Sequence, residues 1–106
     1  MDKGRIIMYN KQFHELAIGN VFRMNGNIYV KQSSRTAWLV EYSRWFYFGK
    51  RENVELLLDG RFSFTPLFEG RFQVYFCGEY IATGNDKLDA INKAIAYNEE
   101  RMKGYK

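Results

Sequence analysis

An Asn25-Gly26 pair between two runs of alternating apolar residues constrains the fold of this chain more than any other feature. Two-residue hairpin turns of type I′ need a positive φ at both central positions, and Asn followed by Gly tolerates that conformation best. The pair separates residues 21–24 from residues 27–32, and both segments have the alternation of strands. The sequence therefore predicts a β-hairpin at this position.

Two further strands are predicted after a polar break at residues 33–35. Residues 36–42 and 44–48 are rich in β-branched and aromatic side chains, and Gly49 ends the second segment. Together with the hairpin, these segments predict a four-strand antiparallel meander over residues 20–50.

The chain before the meander is predicted to contribute little structure. Residues 1–12 have the composition of a flexible leader. Phe13, Leu16 and Ala17 follow at the i, i+3, i+4 spacing of a helical turn, which Gly19 would end, so we expect a short lid at most. No apolar run in the chain reaches the length of a signal peptide's hydrophobic region or of a membrane helix.

The C-terminal half is predicted to contain two more hairpins. Apolar residues alternate on both sides of Asp59-Gly60, which predicts a tight hairpin, although residues 52–58 also fit a short helix. Residues 71–77 alternate cleanly and run into Gly78-Glu79, where we expect a type II′ turn and a returning strand over residues 80–83.

A helix is predicted at the C-terminal end of the chain. Asn85 or Asp86 can cap its first turn, and Gly104 would end it. The apolar stripe of this helix must be buried against another element. We expect the helix to pack on the face formed by the alternate apolar residues of segment 71–77, so that residues 70–104 form a ββα unit. The stripe consists of Leu88, Ile91, Ile95 and Met102.

The predicted fold class is α+β: a mostly antiparallel meander or roll with hairpins and one C-terminal helix packed on the sheet. A chain of 106 residues can bury roughly 65% of its unfolded surface, so we expect residues 1–106 to form a single domain. The one cysteine, Cys77, excludes an intramolecular disulfide and favours a reducing, cytoplasmic environment.

Positive charge is concentrated in residues 23–51, which carry six basic residues against one acid, Glu41, in a chain of net charge +4. Aromatic side chains are interleaved with these cations, a pattern that suits an anionic or π-rich partner. Alternation prevents every ring from facing the core, so at least one should be exposed. The alternative is that the rings form an ordinary core and the cations protect sheet edges. The predicted binding residues are Lys31, Arg35, Trp38, Arg44, Trp45, Lys50 and Arg51.

The polar turn over residues 31–36 combines hydroxyls, backbone amides and a guanidinium, which are the components of a phosphate or carboxylate cradle. Serine-rich turns also occur commonly because their hydroxyls form local hydrogen bonds. The frequency of such turns in proteins favours an ordinary polar turn over an anion cradle.

A second candidate strip is formed by Arg71, Gln73 and Tyr75, which should face away from the helix and could contact base edges in a major groove. Residues 70–98, GRFQVYFCGEYIATGNDKLDAINKAIAYN, resemble the sheet-plus-helix DNA-binding domains of plant ethylene-response factors and the arm-binding domains of phage integrases. This segment lacks the further strand and the denser arginines of those domains.

Residues 13–56 are similar to small accessory proteins of tailed bacteriophages. The resemblance is carried by the Asn-Gly hairpin, the YVK and SSRTA motifs and the aromatic strand WFYF. It implies an accessory protein that acts by stoichiometric binding to host or phage machinery, in the host cytoplasm if the chain is phage-encoded.

Catalytic chemistry has little support in the sequence. His14 and Cys77 are the single representatives of their types and fall in different segments, and we expect an exposed His and a buried structural Cys. One Cys and one His cannot make an ordinary zinc site. The carboxylate pairs Glu52/Glu55 and Glu99/Glu100 have the pattern of solvated faces. We therefore predict no catalytic residues, no metal and no cofactor.

The sequence thus predicts a non-enzymatic accessory protein that binds a host protein as an inhibitor or modulator, without a membrane partner. The alternative is a protein that binds nucleic acid or an anionic nucleotide on the same basic aromatic sheet. A homodimer is also left open, because Tyr97 falls off the apolar stripe of the helix and could belong either to the core margin or to a partner surface.

Overall fold

The computed structural model describes residues 10–103, and the chain divides into two compact units between Leu57 and Leu58. Most of the expected flexible leader, residues 1–9, and the expected helix stop, Gly104, lie outside the described residues. Each unit has its own antiparallel sheet, and the helix belongs to the second unit. The α+β class with mostly antiparallel sheet is confirmed, whereas the single domain of residues 1–106 stays a prediction.

The first unit is built on a six-stranded sheet with a 3-10 turn near its N-terminal edge. The strand order is β1-β6-β2-β3-β4-β5, so β2 to β5 form the predicted meander and β6 returns to pair on its other side. The strands are β1 (Lys11–Gln12), β2 (Val21–Met24), β3 (Asn27–Lys31), β4 (Thr36–Leu39), β5 (Arg44–Tyr47) and β6 (Asn53–Leu58), and the turn is Phe13–Glu15.

The hairpin between β2 and β3 has the predicted two-residue turn. Asn25 and Gly26 have φ values of 52° and 80°, and Met24 pairs directly with Asn27. Positive φ at both central residues is what a type I′ turn requires, so the prediction is confirmed. The strand predicted over residues 36–42 ends earlier, at Leu39, because the chain turns through residues 40–43 and Ser43 takes a φ of 52°.

Aromatic rings form the centre of the first unit's core. The rings of Phe13 and Phe48 are stacked with centroids 4.8 Å apart, and those of Phe22 and Tyr29 are stacked at 5.3 Å. Such pairs contribute about 0.5–1.5 kcal/mol beyond the area that they bury. Phe13 is fully buried, so the segment expected to be at most a lid supplies a central core residue. The buried cluster consists of Phe13, Leu16, Phe22, Tyr29, Ala37, Leu39, Phe48 and Val54.

The short strand β1 corrects the expectation of a flexible leader for its last residues. Lys11 pairs with Val54 and Gln12 with Asn53, which makes β1 an edge strand beside β6. The following turn is held by hydrogen bonds from the Phe13 amide to the Glu52 carbonyl and from the Gln12 amide to the Glu15 carboxylate.

The second unit contains a three-stranded antiparallel sheet in the order β7-β8-β9. A hairpin loop over residues 67–71 joins the first two strands, and a helix follows the third. The strand β7 supplies a third strand to the unit that the sequence predicted as ββα. The elements are β7 (Phe62–Pro66), β8 (Phe72–Phe76), β9 (Glu79–Gly84) and α1 (Lys87–Lys103).

The hairpin predicted at Asp59-Gly60 is wrong, because β6 and β7 belong to different sheets. Instead, the Asp59 carboxylate accepts hydrogen bonds from the Arg61 backbone amide and from its Nε, both at 3.0 Å. The alternative of a short helix over residues 52–58 is also wrong, because these residues include β6.

The hairpin between β8 and β9 is present, but its turn lies one residue earlier than predicted. Phe76 pairs with Glu79, and the two turn residues, Cys77 and Gly78, have φ values of 52° and 85°. Both are therefore left-handed, as in type I′, whereas type II′ needs a positive φ only at its first central residue. Cys77 is exposed at this turn, so the expectation of a buried structural Cys is wrong.

The helix α1 begins with a reciprocal cap. Asp86 Oδ1 accepts a hydrogen bond from the Asp89 amide, and Asp89 Oδ2 accepts one from the Asn85 amide, both at 2.8 Å. The helix packs against β9 and β8 and buries Ala90, Ile91 and Ala94. Helix packing on the sheet is thus confirmed, but Met102 of the predicted stripe is 56% exposed, because it lies in the last turn of the described helix.

Candidate binding surface

The outer face of the β4–β5 hairpin presents the largest exposed aromatic side chains of the first unit. Trp38 and Trp45 pair across the two strands, with ring centroids 4.8 Å apart at 75°. Tyr47 lies two residues after Trp45 and is 85% exposed, while Trp45 is 58% exposed. We name Trp38, Trp45 and Tyr47 the β4–β5 aromatic face.

Alternation along β5 explains why these rings are outside the core. Side chains of successive strand residues point to opposite faces. Phe46 and Phe48 take the inner face, where Phe48 is buried and the ring of Phe46 lies 6.0 Å from that of Tyr29. The other pair, Trp45 and Tyr47, must then face outward. The prediction that at least one ring would be exposed is confirmed.

Three predicted cations, Arg44, Lys50 and Arg51, are exposed. Arg44 pairs with Leu39, so its side chain leaves β5 on the face opposite to that of Trp45. Lys50 and Arg51 follow the strand in a turn closed by the hydrogen bond from the Glu52 amide to the Gly49 carbonyl. The cations therefore surround the strand β5 and do not all share its aromatic face.

Arg35 is exposed but also holds the end of β5 in place. Its Nε donates to the Phe48 carbonyl at 3.1 Å, and its own carbonyl accepts from the Phe48 amide at 2.8 Å. Arg35 therefore combines a structural hydrogen bond with an exposed positive charge.

Lys31 does not belong to this surface, and the expectation that it is an exposed binding residue is wrong. It is 4% exposed, and its Nζ donates to the carbonyl oxygens of Phe13 and Leu16 at 2.9 and 2.8 Å. The ammonium also lies 4.4 Å from the centroid of the Phe13 ring, a cation–π contact. Burial lowers the pKa of Lys31. The physical reason for its position is register, because Lys31 pairs with the buried Ala37 and so points to the core face.

A second cation of the basic stretch, Arg23, is also used within the unit. Its guanidinium forms an ion pair with Glu55 at 3.2 Å between the neighbouring strands β2 and β6. With Lys31 buried and Arg23 paired, four of the six cations of residues 23–51 remain exposed. The surface is therefore less basic than the sequence indicates.

The polar turn over residues 31–36 is closed by its own hydrogen bonds. The Ser33 hydroxyl accepts from the amides of Arg35 and Thr36, at 3.3 and 3.1 Å. The Gln32 and Ser33 amides both donate to the Thr36 carbonyl. These amides are directed within the turn, so the structure supports the ordinary polar turn and not the anion cradle.

The second candidate strip is assembled on the face of β8 opposite to α1. Gln73 and Tyr75 alternate with the helix-facing Phe72, Val74 and Phe76, as predicted, and the Tyr75 hydroxyl donates to Gln73 Oε1 at 3.0 Å. The Tyr75 ring also lies 6.0 Å from that of Tyr80.

The charge around this strip is low. Arg71 is exposed just before β8, with its backbone closing the loop from Leu67. The described part of the second unit, residues 58–103, carries six basic residues against seven acidic ones. This balance gives little attraction for a polyanion.

Tyr97 lies at the margin of the second unit's core. Its ring centroid is 5.5 Å from that of Phe76 and 6.3 Å from that of Phe62, and the side chain is partly exposed. The ring of Tyr97 therefore lies against the core. Of the two interpretations offered by the sequence, core margin or partner surface, this geometry is that of the core margin.

Among residues 10–103, the exposed aromatic residues that were absent from the predicted binding set are Tyr42, Phe46, Tyr47, Phe68, Tyr80 and Tyr97. Tyr47 could have been found from its spacing, because it lies two residues after Trp45 on the same strand face. Phe68 is 87% exposed at the loop between β7 and β8, and no sequence signal distinguishes it from the neighbouring core phenylalanines.

Other classes of site have few components in the described part of the chain. Among residues 10–103 no group of three or more His, Cys, Asp or Glu is placed to hold a metal ion. His14 is exposed, and its Nε2 lies 3.0 Å from Gln12 Oε1. None of the helices in this range has the length and apolar character needed to cross a membrane.

Comparison of the chain with protein-family models, curated proteins and solved structures found no match. The chemistry and exposure of the surface itself are therefore the basis of the functional interpretation.

Proposed function

We propose that this protein is a small binding protein that associates stoichiometrically with a protein partner through the β4–β5 aromatic face and thereby modulates that partner. The observation that carries the proposal is the exposure of β5, in which all four residues, including Trp45 and Tyr47, are open to solvent. Burial of a fully exposed aromatic side chain contributes about 1.5–3 kcal/mol, which is a substantial share of a binding free energy.

The composition of the surface favours a protein partner over nucleic acid. Trp, Tyr and Arg are the residues that most often dominate protein–protein binding energy, and β4–β5 with its flanks combines all three. Nucleic-acid binding takes most of its affinity from many phosphate contacts. Lys31 and Arg23 are engaged within the unit, which leaves Arg35, Arg44, Lys50 and Arg51 exposed, with the exposed acids Glu41 and Glu52 in the same stretch of sequence.

The biological setting of the proposal comes from the sequence resemblance of residues 13–56. That resemblance supports a phage-type accessory protein, a host protein as the partner, and inhibition or modulation as the outcome. The proposal includes no catalytic step, cofactor or metal.

Affinity capture from a host lysate, with and without nuclease, tests the proposal. Wild type should retain one protein in both conditions, and the double variant Trp45→Ala/Tyr47→Ala should lose it. Phe68→Ala, which removes an exposed ring from the second unit, is the matched control and should retain it. Light scattering of the recombined pair should give a fixed stoichiometry. Retention that disappears with nuclease, or that persists in the double variant, would contradict the proposal.

A second candidate function, nucleic-acid binding by the second unit, is favoured by one observation. Gln73 and Tyr75 lie with exposed Arg71 along a three-stranded sheet whose other face is covered by α1, which is an arrangement that can enter a major groove. The excess of acidic residues in this unit argues against it.

Salt dependence separates the two candidates. Binding of duplex DNA would weaken steeply with added salt through counterion release and would be lost in Arg71→Gln/Gln73→Ala. A protein complex on the β4–β5 aromatic face would depend modestly on salt and would be unaffected by that variant.

A further inference from the structure

The strand β5 is one of the two edges of the six-stranded sheet. It is last in the strand order, and within residues 10–103 no strand pairs with its outer side. Its pairing with β4 is regular over four consecutive residue pairs, from Arg44↔Leu39 to Tyr47↔Thr36. The backbone groups on the outer side of β5 therefore have the spacing of a template for one more strand.

This edge has no proline and no β-bulge, two of the devices that proteins use to block strand addition. Its one charged residue, Arg44, stands at the start of the strand on the same face as Phe46 and is exposed. The opposite edge differs, because β1 is only two residues long. The edge strand β7 of the other sheet ends in Pro66.

We infer that the partner binds as an extended segment that adds a seventh strand to the outer side of β5, with acidic residues at its flanks. The inference rests on the proposed function and specifies the form of the partner. Backbone hydrogen bonds supply affinity in this mode, and alternate side chains supply specificity. On one face of the added strand, a side chain would contact Trp45 or Tyr47. On the other face, an acidic side chain would meet Arg44.

Charge selects this occupant over a second copy of the chain. Pairing of β5 with the β5 of another copy would bring the exposed Arg44, Lys50 and Arg51 of both copies to the same interface, where these cations outnumber the exposed acids Glu41 and Glu52. Like charges placed opposite each other across strands are destabilising. An acidic flank on a foreign strand replaces that repulsion with attraction, and so it steers the encounter as well.

The two tryptophans of the chain, Trp38 and Trp45, both lie in this hairpin, so tryptophan fluorescence reports on the site alone. The probe is a synthetic peptide of alternating Val and Thr with glutamates at both ends. It should change the emission of the full-length protein and saturate. The same peptide N-methylated at every second residue on its pairing edge should bind at least about tenfold more weakly, because it loses its edge hydrogen bonds.

Further measurements fix the mode and the charge preference. A peptide with lysines in place of the glutamates should bind more weakly, and hydrogen exchange at the outward amides of residues 44–47 should slow in the complex. If the N-methylated peptide binds as well as its parent, strand addition is overturned while side-chain recognition by the proposed function stands. If no peptide binds, or if the chain dimerises through β5, the inference also fails, whereas lysate capture still decides the proposed function independently.

Discussion

A Cβ atom placed on Gly84 would lie 2.3 Å from the backbone nitrogen of Ala90, so the end of β9 meets the first turn of α1 backbone to backbone. Both residues are buried. The contact fixes how closely the helix can approach the sheet of the second unit.

Substitution Gly84→Ala should lower stability by at least about 1–3 kcal/mol, because backbone atoms and not a flexible side chain must move to make room. Gly60→Ala is the matched control, since no atom lies within 4 Å of its Cβ position and its φ is not left-handed. The control should change stability little or raise it by up to about 1 kcal/mol. Urea denaturation of both variants measures the difference, and equal midpoints would contradict the close approach.

Substitution Lys31→Met should destabilise the protein by about 1–3 kcal/mol. The apolar stem is preserved, but the buried carbonyls of Phe13 and Leu16 lose a charged donor. The substitution also removes a buried positive charge, whose desolvation is unfavourable, and this gain offsets part of the lost stability. Lys50→Met, at an exposed position of the same unit, should stay within about 0.5 kcal/mol. A Lys31→Met variant as stable as wild type would mean that these hydrogen bonds do not determine stability.

Substitution Ile91→Asp should unfold the second unit, because Ile91 is fully buried between α1 and the sheet. A buried carboxylate without a partner costs several kcal/mol, comparable with the roughly 5–15 kcal/mol that hold a domain together. Asn92→Asp introduces the same group one residue later on the exposed side and should be tolerated. Far-ultraviolet circular dichroism distinguishes the two, and similar melting of both variants would argue against the packing of α1.

Two arginines of the binding surface should differ in their effect on folding. Arg35→Gln loses the hydrogen bond from Nε to the Phe48 carbonyl, which is expected to cost about 0.5–1.5 kcal/mol. Arg44→Gln removes only an exposed charge and should stay within about 0.5 kcal/mol. Thermal melts give the comparison. If Arg44→Gln were the more damaging change, Arg44 would have to be a structural residue.

Stability should fall on acidification below about pH 4. The hydrogen bond from the Asn85 amide, followed by the contact with Lys93, lowers the pKa of Asp89 from its ordinary value of 3.8. Since the native pKa is the lower one, this contribution is complete above the ordinary pKa and is lost as the pH falls through the native value. Asp89→Asn keeps an oxygen for the Asn85 amide but does not titrate, so its stability should vary less with pH.

The measurement for this prediction is the urea midpoint at several acidic pH values. Glu99→Gln, which removes one negative charge from an exposed position of the same helix, is the control. An Asp89→Asn variant with the slope of wild type would show that this carboxylate does not contribute to acid sensitivity.

Local features of the sequence predicted most of the secondary structure. The turn at Asn25-Gly26 and the cap at Asp86 depend on backbone conformations and hydrogen bonds within a few residues, so their signals are local. The sheet to which β6 belongs could not be predicted from local signals, because β6 pairs with β1 and β2 and not with the following β7. Sheet partners of this kind depend on long-range packing, which a turn signal at Asp59-Gly60 does not contain.

The candidate surface was predicted in part, and its errors have identifiable causes. Lys31 is two residues after Tyr29 on β3, so alternation places both on the core face. The positive charge led to the opposite expectation, because solvation of a lysine by two carbonyls and a ring requires a tertiary environment. Tyr47, in contrast, follows directly from its spacing to Trp45.

The open edge of β5 should also affect the colloidal behaviour of the protein. Unpaired strand edges are templates for aggregation, and we expect the exposed Arg44, Lys50 and Arg51 to oppose it by mutual repulsion between molecules. That repulsion is screened beyond about 10 Å at 0.1 M salt. Concentrated solutions of the protein should therefore stay clearer at low ionic strength than at high, the reverse of the behaviour of a protein whose copies attract each other through opposite charges.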